Sequence, residues 1–206
     1  SFVLSITRGY AHVPTRTGLA GKYERKLAWS SARFAFLADV ALALFGASVK
    51  RRETINSRFG DVHSYMLMAS CVMRRYEAEG ENKEDAIAAK WALEYCMEEI
   101  NKAFIGLYEN IHPMFKIHAL LARLNPIGFG NSDKSSQKLA KKLLDDSELR
   151  KNLTKEIYLP EDENEHMNKL ERGFELIHET DQIVLKIKDA IKAKELPKAA
   201  VPSLVE

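Results

Sequence analysis

Two cysteines in 206 residues leave little room for thiol chemistry. Cys71 and Cys96 are far apart and lack the spacing of a zinc or redox motif, so both read as reduced thiols inside apolar helical patterns, in keeping with a reducing compartment. Long hydrophobic runs are missing as well. The longest uncharged stretches, residues 40–49 and 62–73, fall well short of the roughly 20 apolar residues that cross a bilayer, and no transmembrane helix is predicted. No sign of charge dominates: a net charge of +2 gives no general pull toward nucleic acid or acidic membranes. Residues 1–9 have neither the basic start nor the sustained apolar stretch of a signal peptide. With Ser1 in place of an initiating Met, the sequence is expected to begin inside a longer protein.

Catalytic signatures are equally scarce. There is no Gly-x-Ser-x-Gly elbow and no Gly-rich dinucleotide fingerprint. The histidines His12, His63, His112, His118, His166 and His178 form neither His-Glu-x-x-His nor a compact His/Cys cluster, so no metal is expected. Asp162, Glu163 and Glu165 follow Pro160 and read as a solvated break. Gly128, Gly130, Lys134 and Ser135 invite comparison with a phosphate loop. A Walker loop needs glycine directly before the lysine so that backbone amides can approach phosphate, and here an anion, Asp133, holds that place. Ser132 is expected to cap a helix instead.

What the chain does have is helical periodicity over a normal globular composition, 46% hydrophobic and 29% charged. A compact domain of this length buries about 70% of its unfolded surface, so a real core is available. Apolar residues recur at Tyr23, Leu27, Phe34, Leu37, Ala41 and Leu44, then at Ile55, Phe59, Val62, Met66, Ala69, Met73 and Tyr76, in steps that keep them on one helical stripe. The pattern predicts helices over 22–47 and 53–79, the second stopped by Gly80. A third, capped by Asn82, carries Leu93, Met97, Ile100, Phe104, Leu107 and Ile111. Pro113 suits the first turn of a shorter fourth helix with Phe115, Ile117, Leu120, Leu121 and Leu124, ended by Asn125-Pro126. Smaller helical pieces follow near 135–144 and 147–155, then a last helix or helix pair over 167–194 and a loose tail.

The fold class is therefore all-α: an antiparallel four-helix-type bundle over residues 22–124, after an irregular entry segment at 1–21, with a smaller helical appendage and tail over 125–206. Phe59, Met66 and Met73 are expected among the most buried residues, with Leu37 and Leu44 facing them. Asp39 stands inside the apolar first helix, where a carboxylate needs a wet face or a partner; Arg33 and Arg58 are the candidate partners in a structural ion pair. Lys50, Arg51 and Arg52 form a basic corner between the first two helices. It reads as a solvated turn salt-bridged to Glu53 and Asp61, too small a patch for nucleic acid. Residues 111–124 are amphipathic, with Lys116 and Arg123 among apolar residues, which suits either packing on the bundle or rest on a membrane.

The wording of the first hairpin, Leu37-Ala38-Asp39-Val40, then Phe45-Gly46-Ala47-Ser48-Val49-Lys50-Arg51-Arg52-Glu53, then Ile55-Asn56-Ser57-Arg58-Phe59-Gly60-Asp61, resembles the bacterial-type C-terminal domain of long-chain acyl-CoA dehydrogenases. Ser1-Phe2, Thr7-Arg8-Gly9, Leu67-Met68-Ala69-Ser70 and Arg75-Tyr76-Glu77-Ala78-Glu79-Gly80 extend it, and it is closer in the first half than after Asn125. The resemblance implies a parent enzyme that uses FAD for α,β-dehydrogenation of fatty acyl-CoA in β-oxidation and passes electrons to a carrier flavoprotein. A carboxylate takes the α-proton in such enzymes while the flavin takes the hydride. It also implies that the catalytic residues and main flavin contacts lie upstream of Ser1, leaving this segment a structural role: packing on the upstream catalytic domain, homo-oligomer formation or peripheral membrane docking, in the cytoplasm or at the inner membrane. Trp29, Trp91, Tyr95, Phe104 and Tyr108 then read as core aromatics or as an acyl-chain groove. A stand-alone helical scaffold or partner-binding protein is the alternative.

Overall fold

A computed structural model describes residues 14, 16–145 and 148–196. Most of the entry segment, His12 included, and the tail from residue 197 lie outside the described residues. Among those described the architecture is all-α, with no strand. Helix α1 spans Gly18–Phe45, α2 Glu53–Ala78, α3 Asp85–Ile111, α4 Lys116–Leu124, α5 Asp133–Leu144, α6 Glu148–Thr154 and α7 His166–Lys192.

Helix α3 is the axis of the bundle because its apolar residues do not stop at one stripe. Leu93, Met97, Ile100, Phe104, Leu107 and Ile111 form the expected row, and Ala89, Cys96, Ala103 and Tyr108 widen it, all buried. So broad a face needs several partners. Helices α1, α2 and α4 supply them, and aromatic rings meet edge to face across the contacts: Trp29 with Phe104 at 5.6 Å, Phe34 with Phe59 at 5.4 Å, Phe36 with Phe115 at 6.3 Å.

The turns are local chemistry. Gly46 takes φ 52° and ψ −136°, a backbone region open almost only to glycine, and a 3-10 turn over Gly46–Arg51 follows. Asn56 Nδ2 donates to Val49 O at 3.0 Å, and the Arg52 guanidinium lies 3.9 Å from the Phe45 ring centroid. The corner residues Lys50, Arg51 and Arg52 are exposed as expected. Their expected salt bridges to Glu53 and Asp61 are not formed among the described residues; Arg52 stacks on an aromatic ring instead. At the far end of α2, Gly80 (φ 87°) and Glu81 (φ 54°) turn the chain left-handed, and Glu81 N donates to Tyr76 O at 3.0 Å. Asn82 does not cap α3 as expected: its amide donates back to Glu79 O, while α3 begins at Asp85.

The compact unit holding the bundle runs to Leu139, past the expected boundary after residue 124, and a second unit begins at Ala140. Side-chain amides explain the extension. Ile127 N donates to Asn101 Oδ1 (3.3 Å), Asn131 Nδ2 to Trp91 O (2.8 Å) and Trp91 Nε1 to Ser136 Oγ (3.1 Å), so the stretch after α4 is clasped onto α3. Ser132 caps α5 as expected, accepting from Ser135 N at 3.2 Å. The second unit buries Leu149 and places the Arg150 guanidinium 3.7 Å from the Phe174 ring centroid while it donates to Glu171 at 2.8 Å.

Three burial expectations need correction. Leu37 and Met73 are buried, but Phe59 and Met66 are only half-buried, and Leu44 is exposed. The α2 stripe that reaches the core is Ile55, Val62, Ala69, Met73 and Tyr76, one row over from the centre expected. Cys96 is a core thiol pushed up to about 11 by burial, whereas Cys71 is exposed. The continuous helical segment Gly18–Arg51 is long and apolar enough to cross a membrane, contrary to the run-length expectation. Yet Arg33 and Asp39 interrupt it, and Tyr23, Leu37 and Ala41 are spent on the bundle core.

Candidate functional site

Helix α4 is built inside out. Its sequence, Lys-Ile-His-Ala-Leu-Leu-Ala-Arg-Leu, puts small Ala119 and Ala122 toward the bundle, where Asn101 Nδ2 donates to Ala122 O at 3.4 Å. Phe115 and Ile127, both buried, pin its two ends. The bulky row therefore points outward: Ile117 is 62% exposed and Leu124 73%, with Leu120, Leu121 and the neighbouring Met114 also exposed. Spacing alone left packing on the bundle and rest on a membrane both open for these residues. Each such side chain left in water forgoes about 1.5–3 kcal/mol of burial, and together they form an apolar surface that a monomer rarely displays. Lys116 and Arg123 border the row, and Arg123 is paired with Glu109 at 2.5 Å.

Asp39 is not the buried acid expected. Leu37 and Ala41 face the core, and a residue between them at helical pitch must face away, so Asp39 is exposed and makes no ion pair among the described residues. Its candidate partners are engaged elsewhere. Arg33 Nε donates to Tyr108 OH at 2.6 Å with its guanidinium 5.4 Å from the Phe36 ring centroid, and Arg58 lies across Gly106 of α3. The acyl-groove reading of the aromatics also fails. Trp29, Phe104 and Tyr108 pack on one another in the core, and Trp91 stacks on Tyr95 at 5.9 Å.

A polar cluster that no local pattern announces joins α1 to α3. Glu94 Oε1 accepts from Tyr23 OH at 2.5 Å and from Lys22 Nζ at 3.4 Å, with Lys26 Nζ at 3.6 Å. Burial raises this carboxyl, but the Tyr23 hydrogen bond and the two ammonium groups outweigh it and hold the group below its ordinary range. Tyr23 is pushed up in turn, first by burial and then by Glu94. The partners are 71 residues apart in the chain, which is why the spacing of either helix alone gives no hint.

His118 lies against Tyr108 and Phe115, with ring centroids at 5.8 and 5.5 Å, and its Nδ1 is buried without a hydrogen-bond partner among the described residues. Burial, and after it the Arg33 guanidinium, hold the imidazole below its usual 6.5. As pH falls the unfolded chain takes up this proton first, so the stability is complete above about pH 6.5 and is lost as pH drops through the folded-state value. The melting midpoint should therefore decline on acidification from about pH 7, and His118→Gln should flatten that slope. An unchanged slope in the variant would remove His118 as its source.

No group of three His, Cys, Asp or Glu side chains that could hold a metal occurs among the described residues. The family model "Acyl-CoA dehydrogenase, C-terminal, bacterial type" matches residues 1–206. The chain belongs to this family. Its parent is thus an acyl-CoA dehydrogenase, an oxidoreductase of an FAD-dependent family. No solved structure matches the chain. Trp29, Phe104 and Tyr108 pack against one another in the core, so these aromatics offer no free face to an isoalloxazine.

Proposed function

We propose that this chain is the non-catalytic C-terminal portion of an acyl-CoA dehydrogenase acting on fatty acyl-CoA in β-oxidation, and that it docks on the upstream catalytic domain through the outward aliphatic row of α4. That row carries the reading, because a helix that turns alanines inward and leucines outward gains its burial only in an assembly. Homo-oligomer formation, transfer of electrons to a carrier flavoprotein and a cytoplasmic location beside the inner membrane belong to the same reading by family. Contact of α4 with a bilayer is a second reading, supported by the cations at its border.

The test compares the 206-residue chain with the full-length parent, each given FAD, palmitoyl-CoA and an electron-accepting dye. The chain alone should show no turnover. Leu120→Glu with Leu124→Glu should leave the melting midpoint of the isolated chain almost unchanged, since both side chains are already in water, and lower that of the parent. Turnover by the chain comparable to the parent, or a parent indifferent to both charges, would overturn the proposal.

A further inference from the structure

Helix α7 is the longest element of the second unit, 27 residues, and no described helix runs along it. A helix of that length normally owes its stability to a packed face. Helix α6 meets it where the Arg150 guanidinium lies over Phe174, whose ring is edge-on to His178 at 4.4 Å. A different side carries a heptad. Gly173, Leu176, Thr180, Ile183, Ile187 and Ala190 recur in steps that alternate three and four, the spacing by which two helices mesh along a seam. Ile177, Val184 and Ile191, at heptad intervals, line one edge of that seam. Ile177 is 62% exposed and Ile183 57%, with Leu176 also in water. β-Branched residues are poor helix formers, so a face built of them is shaped for packing rather than for the helix itself.

The opposite edge is charged, and it is self-complementary. Glu179 and Lys186 stand one heptad apart on it, both exposed, while Arg172, one heptad earlier, is taken by Glu175 at 3.0 Å. Symmetry then decides what fits the seam. About a two-fold axis across it, an antiparallel second copy sets like edge against like edge: Glu179 beside the copy's Lys186, and Ile177 beside the copy's Val184. A parallel copy crosses the edges and presses both charges onto valine and isoleucine. The layers agree with the antiparallel register. With the axis between positions 181 and 182, Thr180 meets the copy's Ile183, Leu176 meets Ile187, and small Gly173 meets small Ala190.

We infer that α7 is a self-association surface, on which two copies of this chain pair antiparallel through the seam from Gly173 to Ala190. The homo-oligomer named in the proposed function would use this contact, and to that extent the inference rests on that reading. The seam is roughly 26 Å long at the α-helical rise, a short contact, so the dimer is expected to form at about 10 µM rather than at nanomolar concentration.

Sedimentation equilibrium from about 1 to 100 µM tests it, on the 206-residue chain carrying Leu120→Glu and Leu124→Glu so that the α4 row cannot contribute. The chain should pass from monomer to dimer. Ile183→Glu, at an exposed position, should leave it monomeric throughout. Glu179→Lys and Lys186→Glu, each turning both cross-copy pairs into like charges, should each weaken the dimer about tenfold, and more at low salt. An equimolar mixture of the two single variants, or the double variant, should restore it, since opposite charges again meet across the seam. A chain monomeric at every concentration, a dimer indifferent to Ile183→Glu, or charge swaps without rescue would overturn the inference. A monomer that binds anionic vesicles until Ile183→Glu is introduced would overturn it in favour of lipid. A parent destabilised by Ile183→Glu while the chain stays monomeric would do so in favour of the catalytic domain. Turnover of the parent and its response to the α4 charges are read separately, so the docking proposed for α4 survives either result.

Discussion

Replacing Phe104 by alanine should cost the chain about 3–5 kcal/mol, the range for truncating a fully buried aromatic. Phe104 is 1% exposed at the centre of α3, with Trp29 edge-on at 5.6 Å and Tyr108 stacked at 6.1 Å. Both neighbours are themselves held, Tyr108 by the Arg33 hydrogen bond, so the cavity cannot close by collapse. In a protein of this size the loss corresponds to a fall in melting midpoint on the order of 10 °C. Denaturant unfolding followed by far-UV dichroism reads it directly, and a loss below about 1 kcal/mol would mean that α3 is not the axis of the core.

Gly128→Ala should be nearly as damaging for a different reason. A β-carbon there would lie 2.5 Å from Met97 Cβ and 2.7 Å from Glu98 N, and helix backbone cannot turn aside as a long side chain can. The clasp must lift from α3, loosening the Ile127–Asn101 and Asn131–Trp91 hydrogen bonds together. Overpacking of this kind costs about 1–3 kcal/mol, and the shared amides push it to the upper end. Gly60→Ala is the control, because nothing lies within 4 Å of the added carbon and the helix gains propensity. Equal melting midpoints for the two variants would show that the contact at Gly128 gives way.

Helix positions were legible because period and punctuation agreed: the expected 53–79 appears as Glu53–Ala78 and the expected 167–194 as His166–Lys192. Orientation was less so. In α4 the apolar period was plain, but which side a partner occupies depends on Ala119 and Ala122 fitting against α3, and periodicity weights a leucine above an alanine. The boundary after residue 124 failed for a related reason, since Asn101 and Asn131 tie the next stretch down through amides that a hydrophobic pattern does not register. Asp39 was misplaced by reading its apolar neighbours in sequence rather than by its angle from Leu37 and Ala41. The Tyr23–Glu94 contact, split between two helices, exists only once the fold brings them together.

The clasp also sets an order of assembly. Helices α2 and α3 meet across one tight turn, whereas the clasp closes through pairs 26, 40 and 45 residues apart. Closing a longer loop costs more chain entropy and is rewarded only when its landing surface exists. Here that surface is the ordered backbone of α3 at Trp91, Met97 and Asn101. As the chain emerges from its N-terminus, α1, α2 and α3 are complete before Ile127 and Asn131 are made, and until then the side of α3 that the clasp covers stands open to water.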